Sequence, residues 1–318
     1  MHSRAAVADT ALPPIPAFVN PRSGSAEQVR AALEQDARFE LRVVDPHKLA
    51  ALVRAEAERG TPRVAVAGGD GTIAQAAAAA ARSPLEVAVL PGGTLNHFAR
   101  DLGIPLGDFP AALDVAATGP ARPVDLAYVN DTAVLNTSSV GLYVTFVRTR
   151  ERLERWLGYH AASVVAAFRV WTSLRGFQVE FQTEGVTRRY RTPLLFVGVG
   201  ERALERTASG LGAREPRGAH ALHVLVVRGT TPGQVARIAL GALFRGVRAL
   251  THGKEIDAYL VDACTVTMRR PWGRVSVDGE LIRMRAPLHY RLERGVVRVV
   301  HANTDGGTAE GGTAGSGI

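Results

Sequence analysis

A chain of 318 residues, 46% hydrophobic and 21% charged, has enough apolar material for two domains or one large one, and is not disordered as a whole. No run of eighteen apolar residues is free of charge, which argues against a transmembrane helix; the single cysteine, Cys264, excludes a disulfide framework and a multi-cysteine zinc site. The net charge of +8 is lopsided: residues 1–125 hold 12 Lys+Arg against 14 Asp+Glu, whereas residues 126–318 hold 26 against 16.

Residues 1–13 read as a disordered leader with no apolar signal-peptide core. From 14 to 124, short apolar runs alternate with alanine-rich helical patterns. Strands are predicted at 15–20, 39–45, 63–68 and 85–91, and helices at 25–37 (capped by Ser25), 46–60, 72–82 and 95–103. Such alternation with short links predicts a parallel sheet with helices on both faces. From about 125 to 290 the style changes. Runs such as VDLAYVN, TAVLNTSSVG, FQVEFQT, TRRYRTPLLFVGVG, HALHVLVVRG and ACTVTMRR predict a largely antiparallel β domain, with helical insertions at 145–175 and 232–252. The last run, LHYRLERGVVRVV, ends near 300, and residues 302–318 read as a flexible Gly/Thr/Ala tail. Cys264 sits in a strand pattern and reads as a small core residue.

Three of the four early strands end in glycine-rich loops: Asn20–Gly24, Gly68–Thr72 and Pro91–Asn96. In a parallel sheet these loops share the edge beyond the strand C-termini, where ligands bind. Each opens a helix, so free N–H groups and the positive end of the helix dipole face the loop, and glycine lets the backbone approach an anion. Together they predict a phosphate cradle. Neither G-x-G-x-x-G nor G-x-x-x-x-G-K-[ST] follows a strand, which argues against Rossmann and Walker A sites. A carboxylate within such a loop repels phosphate unless a divalent cation lies between them, or unless it orders water and a hydroxyl. Asp70 is therefore the leading functional residue.

The run VAVAGGDGTIAQA, with LPGGTLNHFARDLGIP placing Thr94 24 residues after Asp70, resembles the catalytic domain of diacylglycerol kinases and related lipid kinases, among them the YegS-type, sphingosine and ceramide kinases. VNPRSG, VDLAYVN, LNTSSVGLY and VSVDGE fall in that family's order, and the resemblance spans about residues 15–300. GGDG alone would also fit NAD kinases and phosphofructokinases, which share the fold. The resemblance implies an NAD kinase/diacylglycerol kinase-like α/β domain (14–124) plus a β-rich substrate domain (125–290), with the strand near 291–300 rejoining the first domain. It implies ATP-dependent phosphorylation of a lipid hydroxyl, most simply that of diacylglycerol, with another lipid or small alcohol, or a non-catalytic binding protein, as alternatives. The nucleotide would be held by Asn20, Ser23, Gly24, Gly68, Gly69, Asp70, Gly71, Thr72, Gly93, Thr94 and Asn96, and Asp70 would serve Mg²⁺ and the ATP phosphates.

VSVDGELIRM reads by itself as a hairpin turning at Asp278-Gly279, a pair suited to a type I′ turn. The resemblance adds that Glu280 would take the proton of the attacking lipid hydroxyl. The chain departs from the family at two places. His97 stands where many members have aspartate, and reads as a residue that caps or packs against the helix, with a hydrogen bond to a phosphate as the alternative. The segment Gly218–Val224 lacks the carboxylates of a run that carries a structural Mg²⁺ in some members, so that second site is expected to be absent. His220 and His223 have no evident third ligand for zinc.

A lipid kinase without an anchor docks reversibly, so the expected setting is cytoplasmic, at the inner face of a membrane. The basic amphipathic stretch 231–254 and the stretch 156–171 are the docking candidates. No nucleic-acid partner is expected, because no aromatic-interleaved basic strand accompanies the positive charge. An exposed sheet edge would support a homodimer.

Overall fold

The computed structural model describes residues 13–94, 96–141, 177–203, 214–215, 218–228, 231, 233–234 and 255–303. The leader, the tail beyond 303 and the segments 145–175, 156–171 and nearly all of 231–254 lie outside them. Strands β1 (Ile15–Val19), β2 (Phe39–Val43), β3 (Arg63–Gly68) and β4 (Glu86–Pro91) pair in parallel in the order β2-β1-β3-β4. β3 and β4 are buried on both faces, which is why they read as unbroken apolar runs rather than alternating ones.

The helices between them are α1 (Ala26–Glu34), α2 (Pro46–Glu58) and α3 (Asp70–Ala80). α2 starts as its sequence dictates: the Asp45 carboxylate accepts from the His47 N–H, with Pro46 at the first helical position. Fully buried Ala76, Ala77 and Ala80 let α3 lie close to its neighbours. Two expectations shift. The Ser25 side chain does not cap α1; its N–H donates to the Gly92 carbonyl instead. α3 begins at Asp70 rather than residue 72, so Asp70 and Gly71 belong to the first turn of a helix.

The helix expected over 95–103 reduces to α4 (His97–Asp101), and α5 (Phe109–Thr118) escapes the hydrophobic pattern altogether. Its local signals are the Asp108 carboxylate accepting from the Ala111 N–H, and Pro110 in the first turn. Arg63 of β3 closes its other end by donating to the carbonyls of Ala116, Ala117 and Gly119, a cation at the negative end of the dipole.

The rest of the chain is β-rich: β5 (Ala121–Val129), β6 (Thr132–Val134), β7 (Thr137–Gly141), β8 (Phe177–Thr183), β9 (Val186–Thr192), β10 (Leu194–Val199), β11 (Leu222–Val227), β12 (Ile256–Val261), β13 (Ala263–Met268), β14 (Trp272–Val277), β15 (Glu280–Arg285) and β16 (Leu288–Val300). One sheet, β12-β11-β10-β7-β14-β15, is antiparallel throughout. Two runs that read as single strands are each broken. TAVLNTSSVG splits at Leu135-Asn136, and TRRYRTPLLFVGVG splits at Pro193, which has no N–H for a ladder, so that β9 and β10 enter different sheets.

β16 joins the two lobes. It pairs in parallel with β4 and antiparallel with β13, and runs the length of β5 on its other side. Its ladder with β5 shifts between Glu293 and Val297, where Gly295 takes φ +60°, a bulge that bends the strand at the lobe boundary. Each lobe has its own core, one around Phe18, Leu33, Leu49 and Phe98, the other around Phe181, Leu195, Val224 and Tyr290. Burying a side chain of that size contributes about 1.5–3 kcal/mol. Cys264 belongs to the second core, and burial pushes its thiol up to about 12. No helix among the described residues is long and apolar enough to cross a membrane.

Candidate active site

The three glycine-rich loops meet on one edge of the parallel sheet, and they meet backbone to backbone. The Gly92 N–H donates to the Gly68 carbonyl, the Ser25 N–H to the Gly92 carbonyl, and the Asn20 N–H to the Ala67 carbonyl. A Cβ on Gly93 would fall 2.5 Å from the Gly69 Cα, so no side chain fits at that crossing. Asn20 Nδ2 donates to Thr72 Oγ1 at 2.9 Å, tying the first loop to the second, and Gly24 lies beside Thr94. Ser23 Oγ is buried without a partner among the described residues. Asn96 takes φ +48° and folds its side-chain amide back on Gly93, accepting from its N–H and donating to its carbonyl at 2.8 and 2.7 Å. It therefore shapes the third loop from within.

Asp70 occupies the junction of two helix N-termini. It is the first residue of α3, and its carboxylate accepts from the His97 and Phe98 N–H groups at the start of α4, at 3.1 and 2.9 Å. Asn96 does not cap α4 with its side chain, so Asp70 supplies that cap from another element. The His97 side chain is exposed while its backbone makes this contact. A carboxylate oxygen pair offers about four lone-pair sites. Two serve α4 and a third faces Asn136 Nδ2 at 3.5 Å, which leaves room for one more ligand.

The second lobe reaches this junction through the β14–β15 turn. Asp278 at φ +47° and Gly279 at φ +89° form the tight turn their sequence predicts, and β15 starts at Glu280. Asp278 does not point to solvent. Its carboxylate accepts from three successive N–H groups, those of Leu135, Asn136 and Thr137, at 2.8, 2.8 and 2.9 Å. Glu280, exposed and without a hydrogen-bond partner among the described residues, lies against the first turn of α3: a Cβ on Gly71 would fall 2.4 Å from its Oε1. Glu280 thus rests against the residue that follows Asp70, although 210 residues separate the two carboxylates in sequence.

Two expected outcomes follow from these contacts. Gly71→Ala adds a methyl group where the Glu280 carboxylate rests, and that flexible group will swing away. Alanine suits a helix better than glycine by about 1 kcal/mol. The variant should therefore match or exceed wild type in thermal unfolding while losing any function that needs Glu280 in place. The second concerns pH. Burial, opposed by the three N–H donors and reinforced by nearby Asp70, pushes the Asp278 carboxyl up to about 6. The folded state then holds this proton at pH values where the unfolded chain has released it. The group's contribution to stability is greatest on the acid side and declines as pH rises from about 3.8 to about 6. Melting temperatures taken across that window should fall less with rising pH in Asp278→Asn than in wild type.

The two histidines singled out in sequence have separate partners. His220 Nδ1 lies 2.6 Å from Asp125 Oδ2, across the lobe boundary. Buried His223 accepts from the Arg202 N–H through Nδ1, and burial lowers its pKa. Sequence reasoning missed Asn136, Arg202 and the anchoring role of Asp278, since all three depend on contacts between distant segments.

The cradle, the carboxylate at its centre and a facing carboxylate from a second lobe can be compared with known proteins. A family model described as the diacylglycerol kinase catalytic domain matches residues 14–129. The match covers the N-terminal lobe and ends at the last residue of β5. Among curated relatives, the diacylglycerol kinase of Mycobacterium tuberculosis is 33% identical over 125 residues, covering 37% of this chain and 40% of the relative. A Cronobacter sakazakii protein named "Probable lipid kinase YegS-like" is 31% identical over 194 residues, covering 58% and 64%. The matched stretches thus span between two fifths and just under two thirds of these relatives. The fold extends further: a diacylglycerol kinase crystal structure from Bacillus anthracis superposes with TM-score 0.68 at 20% identity, covering 91% of this chain and 97% of that one. The matched family domain ends at β5, so Asp278 and Glu280 lie outside it.

Proposed function

We propose that the chain is an ATP-dependent lipid kinase that transfers the γ-phosphoryl group to a lipid hydroxyl, with diacylglycerol as the acceptor. The observation that carries this reading is the Glu280 carboxylate resting on Gly71, the residue after Asp70, at the sheet edge where the glycine loops meet. In this reading the N–H groups at the starts of α1 and α3 and the loop at Gly93–Thr94 bind the triphosphate, with Ser23 Oγ as a further donor. Mg²⁺ fits the donor set, since it commonly takes one or two carboxylates and fills its remaining positions with phosphate oxygens and water. Asp70 would hold it, and the ion would neutralise charge building on the phosphates.

Glu280 accepts the proton of the acceptor hydroxyl. That oxygen bonds to the γ-phosphorus, the bond from phosphorus to the β,γ-bridging oxygen breaks, and ADP leaves with the bridging electrons. The glycine crossings place backbone rather than side chains around the phosphates, which excludes water without blocking their approach. The names of the curated relatives support a lipid acceptor, and docking at the inner face of a membrane follows from that substrate. The test is transfer of labelled phosphate from ATP into vesicles containing diacylglycerol, run beside a sphingoid base and a monoacylglycerol. Label in diacylglycerol supports the proposal, and label in another acceptor alone replaces the substrate. Nucleotide binding without transfer to any lipid overturns it.

A further inference from the structure

The short connection Leu135–Thr137 between β6 and β7 carries Asn136, and it is gripped from every side. Asp278 accepts its three N–H groups. From the opposite direction Arg214 Nη2 donates to the Leu135 carbonyl at 2.8 Å, and Arg202 Nη2 donates to the Asn136 carbonyl at 2.6 Å and to the Val199 carbonyl at 3.0 Å. Arg202 Nη1 also lies 3.6 Å from Asp101 Oδ2 at the end of α4. Since the start of α4 is held by Asp70, and Asn136 Nδ2 faces Asp70, the contacts close a ring: Asp70, α4, Asp101, Arg202, Asn136 and back to Asp70. The ring crosses the lobe boundary, and Asp278 ties Glu280's turn to it.

We propose that Arg202 is a positioning residue that fixes, through Asn136, the separation between Asp70 on one lobe and the Asp278–Glu280 turn on the other. Its setting argues against a role in stability alone. The side chain is 4% exposed, and Nε is buried with no partner among the described residues. Burial and the neighbouring Arg214 guanidinium lower its pKa to about 10. A buried cation beside a second cation is expensive, and apolar residues of similar volume often replace such groups without loss of stability. What an apolar residue cannot do is bind two carbonyls and a carboxylate at once. The assignment rests on reading Asp70 and Glu280 as the reacting groups, but its geometric content can be measured without turnover.

The experiment compares wild type, Arg202→Met and Arg202→Lys by hydrogen exchange and by steady-state kinetics. In Arg202→Met the N–H groups of His97, Phe98 and residues 135–137 should exchange at least about tenfold faster, while those of β3 and β4 stay unchanged. Its kcat should fall about 10²-fold, as expected for displacement of reacting groups by about 1 Å, with KM for ATP within about twofold of wild type. Arg202→Lys, which keeps the charge near Asp101 but not the double carbonyl grip, should lie between the two in both readouts. It also serves if the methionine variant fails to fold. Unchanged exchange at those five N–H groups, or KM and kcat falling off together in the lysine variant, overturns the proposal. If wild type transfers phosphate to no acceptor, the kinase reading fails while the exchange result still decides whether Arg202 positions the ring.

Discussion

Glu280→Gln is expected to lower kcat by roughly 10²–10⁴-fold, the range for removal of a positioned general base, while leaving KM for ATP within about twofold of wild type. The substitution keeps side-chain size and the contact with Gly71, and removes only the ability to accept a proton. Glu280 is exposed and makes no hydrogen bond among the described residues, so thermal stability should be unchanged. This separates it from Asp278, two residues earlier, whose carboxylate is consumed by three N–H groups. Steady-state transfer from labelled ATP to diacylglycerol in mixed micelles measures the effect. A glutamine variant within about threefold of wild type would move the proton acceptor elsewhere.

Asp70→Asn should be more damaging still, and in two ways. Activity should fall by about 10³-fold or more, because the neutral amide is a far weaker ligand for the divalent cation that, in the proposed reaction, neutralises the phosphates. Stability should also drop, by about 1–2 kcal/mol, because one of the two α4 N–H groups would face an NH₂ donor instead of an oxygen. Thermal unfolding and transfer kinetics on the same preparation check both. An asparagine variant with full stability and no activity would mean that α4 does not rely on Asp70. The reverse, loss of stability with activity intact, would make Asp70 a helix cap only.

Much of this arrangement was legible in the residues. The βα alternation, the three glycine loops and the Asp278-Gly279 turn are local signals, each set by a few neighbouring side chains, and the structure realises them nearly in register. α5 was not legible, because its apolar face follows the seven-residue link 102–108 and its stop comes from Arg63, 56 residues away from Gly119. β12 and the split at Pro193 were hidden because strand partners, not strand propensity, decide where a run changes sheets. At the site, motif reading pointed to Asp70 but could not show that it caps α4. Nor could it show Asn136 and Arg202 in the ring, since an asparagine in a strand run and a lone arginine carry no pattern.

The order in which the chain leaves the ribosome gives the long final strand a further meaning. The edge of β4 waits for residues 298 and 299, some two hundred positions downstream, before its ladder is complete. Until then a hydrophobic sheet margin is open to other nascent chains, and a stop codon anywhere before Leu288 would leave both halves of the molecule with that margin bare. Synthesis through β16 is thus a condition for either half to become a safe, closed body.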